Sequence, residues 1–374
     1  MSNMSPRTRM DLSSLVGQLM IFGFDGVEMT AKLRSALAAM QPGGIILFKR
    51  NVVDARQTHA LLRESQKLVS TRMFLCVDME GGTVDRLKDV VAPAPSVEDV
   101  VRAGRKELYR AHGKLIGQEV SALGFNVDFA PVVDLGLEPS RSVLTSRTVS
   151  ASPKETVVYA REFLRGLKDA QVLGCGKHFP GLGEANLDTH ESLPAIDKSW
   201  KRLWDEDLVP YRMLQRQMPF VMVAHCAYPE VTGDRTPASL SKKWIGDILR
   251  KKIGYRGLVI SDDLEMGGVL AAASIEDAAV ETIRAGADIF LVCRNEEHVF
   301  RTYSAVLREA ERNAKFRKQV ETAARRILNF KRKSPEVNRR MPAAPSELAV
   351  TRLRQRIWQF SEELRATAIA EANA

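Results

Sequence analysis

The chain has 374 residues, 45% of them hydrophobic and 27% charged. This is ordinary globular usage; it excludes a disordered, collagen-like or disulfide-scaffold protein and leaves room for one barrel-sized domain or two smaller ones. The formal charge of +9 suggests a polyanion or membrane partner, yet residues 301–340 alone hold thirteen Lys/Arg against four Glu, so the rest of the chain is formally neutral.

The first residues, MSNMSPRTRMDLSS, are polar, and the LVGQLMIFGF that follows is short and interrupted by Gly17 and Gln18. Neither reads as a signal peptide, and no apolar run approaches the ~20 residues of a membrane span. Cys76, Cys175, Cys226 and Cys293 each sit in a short apolar run, as buried thiols do. No disulfide framework is expected, and a cytoplasmic location is.

Eight apolar runs recur along the chain, at 18–23, 43–48, 72–78, 127–133, 172–175, 220–224, 257–261 and 288–293. Between them lie amphipathic stretches, among them 55–70, 101–122, 154–170, 242–252 and 275–285. Continuous apolar strands alternating with helices predict a parallel sheet covered on both faces. Eight such units predict an α/β fold of the (β/α)8 TIM-like barrel type with a C-terminal helical extension. A doubly wound sheet is the structural alternative, although no G-x-G-x-x-G follows the first run. The barrel is expected over 1–333. A Pro-containing linker and a terminal helix follow over 334–374, with Leu353, Ile357, Phe360 and Leu364 on one helical face, packed on the barrel or on a second subunit.

Barrel chemistry sits where strands end and the following loops begin. Six of the eight runs deliver ionisable groups there: Lys49-Arg50, Asp78 and Glu80, Asp134, Lys177-His178, His225, and Asp262-Asp263. Desolvating so many charges is costly unless they are paired or used, so a functional face is expected. Alternation along a strand would turn one carboxylate of Asp262-Asp263 into the barrel mouth and leave the other to shape the next turn; both as helix-capping acids is the plain alternative. Asp188-Thr189-His190 lies in a Gly- and Asn-containing loop. A carboxylate two residues from an imidazole can fix its tautomer and raise its basicity, against the plain reading of a surface histidine. No H-x-H, H-E-x-x-H or cysteine spacing suggests a metal site, and no metal or cofactor is expected.

The motifs KHFPG-x-G-x4-D-[ST]-H, D-x-EGG-x-V-x-R and SDDL-x-M, over roughly residues 12–330, resemble glycoside hydrolase family 3, specifically its single-domain β-N-acetylhexosaminidase (β-N-acetylglucosaminidase) branch. GGIILFKRN, GFNVDFAPVVDL, MVAHCAYP and AGADIFLVC add to the likeness in the family's order. The resemblance implies a retaining exo-β-N-acetylglucosaminidase acting on peptidoglycan-derived sugars. It makes Asp262 the nucleophile that forms the glycosyl-enzyme, His190 the acid/base and Asp188 its orienting partner. Asp78, Arg86, Arg147, Lys177 and His178 are similar to the groups that bind the terminal sugar. A histidine in place of the second carboxylic acid departs from the usual two-carboxylate scheme, but imidazole, titrating near pH 6.5, can donate in one step and accept in the next.

The chain departs from the family pattern at Leu182, which replaces a histidine, at Met79 and Thr83, and around Arg147, where TSRTVSASP stands in a weakened motif. Another family 3 β-glycosidase of the β-glucosidase kind, or a phosphorylase using the same nucleophile, is the alternative. The expected partner is a carbohydrate substrate, with no membrane and no nucleic acid, on a monomer or homodimer. The basic residues of 301–340 are interleaved with Val306, Leu307, Phe316, Val320 and Ile327, the pattern of a last barrel helix with a solvated face rather than of an RNA-binding motif.

Overall fold

A computed structural model describes residues 10–185 and 193–372. Eight strands form the barrel: β1 (Met20–Phe22), β2 (Gly44–Ile46), β3 (Phe74–Val77), β4 (Val127–Asp128), β5 (Cys175–Phe179), β6 (Phe220–Val223), β7 (Leu258–Asp263) and β8 (Ile289–Val292). Their order is β4-β3-β2-β1-β8-β7-β6-β5, with every neighbouring pair parallel. Isolated parallel bridges, Val127 to Leu173 and Val132 to Lys177, join β4 to the β5 segment. The amides of Asp128, Cys175 and Val133 bond the carbonyls of Leu173, Ala130 and Lys177 at 2.7–2.8 Å across that seam. The sheet is thus a (β/α)8 barrel, and its strands are buried because helices cover one face and barrel side chains the other.

Each of the eight runs contains or leads into its strand, and two details differ. Residues 172–175 are only the approach to β5, and the strand itself carries Lys177 and His178. The amphipathic stretch 101–122 divides into Val97–Arg102 and Glu107–Ala122. Ser96 and Asp99 cap the first helix reciprocally, and Gly104 at φ +69 turns the chain between the two.

Aromatic rings close the lower barrel. Phe74 and Phe220 meet edge to face at 5.1 Å, and Phe330, at the end of the Ala314–Lys333 helix, lies 5.7 Å from Phe220 and 6.1 Å from Phe74. The next residue departs from the solvated-face expectation for 301–340. Lys331 is 4% exposed; its Nζ donates to Gln18 Oε1 and to the Gly43 carbonyl, each at 2.8 Å, and lies 4.8 Å from the centre of the Phe74 ring. Arg326 from the same stretch is tied to the buried Asp288.

The terminal helix Glu347–Ala372 lies along the barrel flank. It buries Val350, Leu353, Ile357, Phe360 and Leu364 and stacks Phe360 on His112 at 6.1 Å. Arg354 donates to the carbonyls of Val91 (2.7 Å) and Val90 (2.9 Å). Among the described residues no helix is long and apolar enough to cross a membrane.

Candidate active site

The upper ends of the strands enclose a cavity of about 190 Å³. Asp78, Arg86, Arg147, Lys177, His178 and Asp262 all line it, so the fold gathers residues up to 184 positions apart in sequence. Asp188 and His190 lie outside the described residues.

After β3 the chain makes a tight hairpin, Met79–Gly81 with Val84–Asp85. Its turn requires glycine: Gly81 has φ +83, and a Cβ there would come within 2.0 Å of the Pro95 carbonyl oxygen. The buried Asp85 carboxylate accepts from the amides of Leu87 and Ala94, both at 2.9 Å, and so fixes the turn that carries Arg86. The Arg86 guanidinium lies over Phe48 at 5.7 Å, and its buried Nε has no hydrogen-bond partner among the described residues. An unpartnered donor in a buried site is costly, which suits a group that waits for a ligand acceptor.

The hairpin also delivers Glu80, on which two cations converge. Arg147 grips it with a fork, Nε to Oε2 at 2.8 Å and Nη2 to Oε1 at 3.0 Å. Lys177 Nζ reaches Glu80 Oε1 at 2.6 Å and Asp78 Oδ1 at 3.0 Å. Burial alone would raise the Glu80 carboxyl, but Arg147 and Lys177 hold it well below the ordinary value. Burial likewise works against the Lys177 ammonium, and Asp78 and Glu80 outweigh it and raise its pKa. Glu80, Arg147 and Lys177 therefore stay ionised near neutral pH in a desolvated site.

His178 is fixed separately. Its Nδ1 shares a 2.7 Å bond with Asp134 Oδ2, and the Asp134 carboxylate also accepts from the amides of His178 (3.1 Å) and Leu182 (2.8 Å). With Nδ1 committed, Nε2 is the nitrogen left for a ligand. Leu182 lines the cavity, so the family's missing histidine is replaced by an apolar wall.

β7 ends on the two aspartates. Asp262 Oδ1 accepts the amide of Asp263 at 2.8 Å. Burial would raise its carboxyl, but His178, His225, the Asp263 amide and Lys177 together hold it below the ordinary carboxylate value. Asp263 does the opposite: burial, with the charges of Glu265 and Asp262 behind it, pushes the carboxyl up to about 7 against bonds from the Glu265 and Cys293 amides. Its Oδ1 accepts those two amides at 3.1 Å each, so Asp263 shapes the turn after β7. Beneath it, fully buried His225 bonds the Asp263 carbonyl through Nε2 (2.9 Å) and Ser239 Oγ through Nδ1 (2.7 Å). His225 is thus part of the support for β7.

Glu80 and Asp134 are the site groups that sequence reasoning placed at strand ends without a role. The signal was present in EGG and in APVVD, but a carboxylate's partners cannot be read from its own segment.

Residues 12–330 match the glycosyl hydrolase family 3 N-terminal domain. The chain belongs to glycosyl hydrolase family 3. A β-hexosaminidase of Idiomarina loihiensis is 34% identical over 300 residues, covering 79% of this chain and 89% of that protein. A β-hexosaminidase of Aromatoleum aromaticum is 37% identical over 280 residues, 73% of this chain and 78% of that one. Among solved structures, a family 3 β-N-acetylglucosaminidase from Paenibacillus sp. str. FPU-7 superposes with a TM-score of 0.89 at 30% identity, over 95% of this chain and 69% of that one. NagZ of Neisseria gonorrhoeae gives a TM-score of 0.73 at 27% identity, over 94% and 98%. This family 3 protein is accordingly a glycoside hydrolase that groups with β-hexosaminidases, and its substrate is a carbohydrate. The matched span takes in the whole barrel and stops before the terminal helix.

Proposed function

We propose that this glycoside hydrolase is a retaining, exo-acting β-N-acetylglucosaminidase that removes terminal N-acetylhexosamine from peptidoglycan-derived sugars in the cytoplasm. The observation that carries the reading is Asp262, a carboxylate kept ionised inside the cavity by its surroundings, as a nucleophile at an anomeric carbon must be. The cavity, at about 190 Å³, is smaller than the ~300–1,000 Å³ of a drug-sized site and suits a single sugar ring, which supports exo action. The relatives named β-hexosaminidase support the sugar. Four cysteines, all buried and unpaired, fit a reducing compartment.

In the first step an Asp262 oxygen bonds to the anomeric carbon as the glycosidic C–O bond breaks, and His190 gives its proton to the leaving oxygen. In the second, water attacks the glycosyl-enzyme carbon, His190 takes the water proton, and Asp262 is released as carboxylate. Asp188 orients His190. Asp78, Arg86, Arg147, Lys177 and His178 hold the ring; of these, Lys177 and Arg147 also neutralise Glu80, so the sugar meets a site whose internal charges are already balanced.

Incubation with a 5-fluoro-N-acetylglucosaminyl fluoride and peptide mapping tests this, with the label expected on Asp262. Turnover with no adduct, together with tight thiazoline inhibition, would overturn the covalent route in favour of attack by the substrate's acetamido oxygen. Sugar 1-phosphate formed when phosphate is added would make the enzyme a phosphorylase.

A further inference from the structure

A second and larger cavity, of about 900 Å³, opens at the base of the barrel. It is bounded by residues 172–174, 217–219, 254 and 256–257, which lead into β5, β6 and β7, and by parts of the Pro153–Asp169 and Ala314–Lys333 helices. It therefore lies at the opposite end of the strands from Asp262. In barrels of this kind the lower face ordinarily serves stability, so a cavity with its own chemistry there needs a separate account.

Arg161, Arg165, Lys168, Arg216, Arg256 and Lys333 line it. Arg165 pairs with Glu162 at 2.5 Å; the other five make no ion pair and no side-chain hydrogen bond among the described residues. Glu336 also lines the cavity, with Oε2 accepting from Ser334 Oγ at 2.6 Å. The floor is apolar, made by Val172, Leu173 and Met218, all buried, with half-buried Phe330 beside them.

Isolated surface arginines are common and carry no message. Several unpaired cations around one recess are different: they repel one another and raise the local potential, so the recess favours an anion that reaches many of them at once. Guanidinium forks match phosphate oxygens in geometry as well as charge. A concave, partly apolar chamber of this volume suits a small molecule better than a strand of nucleic acid, which tracks open grooves.

We propose that this basal cavity binds a nucleoside polyphosphate, its phosphates among Arg161, Arg216, Arg256 and Lys333 and its base on the apolar floor. Five of the six cations lie outside 301–340, where charge counting places the excess; the folded chain collects them from four separate segments.

Calorimetry on the full chain with ATP, adenosine, tripolyphosphate and a 20-nucleotide single-stranded DNA tests the proposal. The expected result is saturable ATP binding at one site per chain, weakening as salt rises, with adenosine and tripolyphosphate each at least about tenfold weaker. Arg161→Ala/Arg256→Ala should weaken ATP about tenfold or more while hydrolysis of an aryl glycoside stays within about twofold and the melting temperature is unchanged. Arg161→Lys/Arg256→Lys should recover part of the loss. Absence of ATP binding at low salt, or equal binding by the alanine variant, would overturn it. Tripolyphosphate binding as tightly as ATP would remove the nucleoside, and tighter binding of the oligonucleotide would make the surface a nucleic-acid one.

Discussion

Two lysines are buried at opposite ends of the same barrel, and their surroundings are opposite in kind. At the mouth, Lys177 meets two carboxylates, Asp78 and Glu80, and its pKa is raised despite burial. At the base, Lys331 meets a side-chain amide oxygen and a backbone carbonyl, and burial pushes it down to about 7. The mouth is a compensated network, in which each cation fixes the geometry of the next. The base holds one cation with neutral partners, and nearby a ring of cations with few partners. A catalytic site needs charges that stay put when water leaves, and mutual pairing supplies that; a lysine that only closes a floor needs hydrogen bonds, not a counter-ion.

The sharpest way to break the mouth is at the proposed nucleophile. Asp262→Asn keeps shape and volume but removes the charge, and kcat/KM on an aryl N-acetylglucosaminide should fall by at least about 10⁴-fold with the fold intact. A loss under about tenfold would mean that another group attacks.

The next effect comes from the network itself. Glu80→Gln leaves Lys177 with Asp78 as its carboxylate partner and takes from Arg147 the one ion pair it makes among the described residues. Removing one member of a buried ionic cluster costs about 3–5 kcal/mol, read in denaturant melts. Activity should fall about 100-fold as the two cations shift. Unchanged stability would show that the pairing at the mouth is not what holds it.

The smallest effect separates the two lysines by pH. The folded pKa of Lys331 lies near 7, below its unfolded value near 10.4. Between those values the unfolded chain holds the proton and the folded chain does not, so stability rises with pH across that window. The wild-type protein should gain roughly 2 kcal/mol from pH 7 to 9 from this group, and Lys331→Met should lose that gain. Lys177 has its pKa raised, so its contribution is fully present below the unfolded value and is lost only as pH climbs through the higher folded one. Over pH 7 to 9 it adds no slope. A Lys331→Met variant with the wild-type pH slope would show that the floor lysine is not desolvated as the structure has it.

The barrel was legible because its strands are short, apolar and separated by helical patterns, and each of these is local. Asp262, Lys177 and His178 were legible as well, through strand-end position and motif. Strand β5 was misplaced by a few residues for a physical reason: CGKHF is buried, but two of its five residues are ionisable, so hydropathy ends the run before Lys177. Lys331 misled for the converse reason. It sits among exposed Arg332 and Lys333 in a basic run, and only the Gln18 and Gly43 oxygens, hundreds of residues away in sequence, show that it points inward.

The sequence alone determined the architecture, the family and which ionisable residues stand at the strand ends, because hydrophobic periodicity and motif order are properties of neighbouring residues. The tertiary structure alone decided how the charges are used. Glu80 meets Arg147 across 67 positions and Asp78 meets Lys177 across 99, while the basal cations come together from distant segments. Ionic interactions depend on distance and dielectric in space. A net charge of +9 therefore could not say which cations are neutralised inside the barrel and which are left, unpaired, around the cavity at its base.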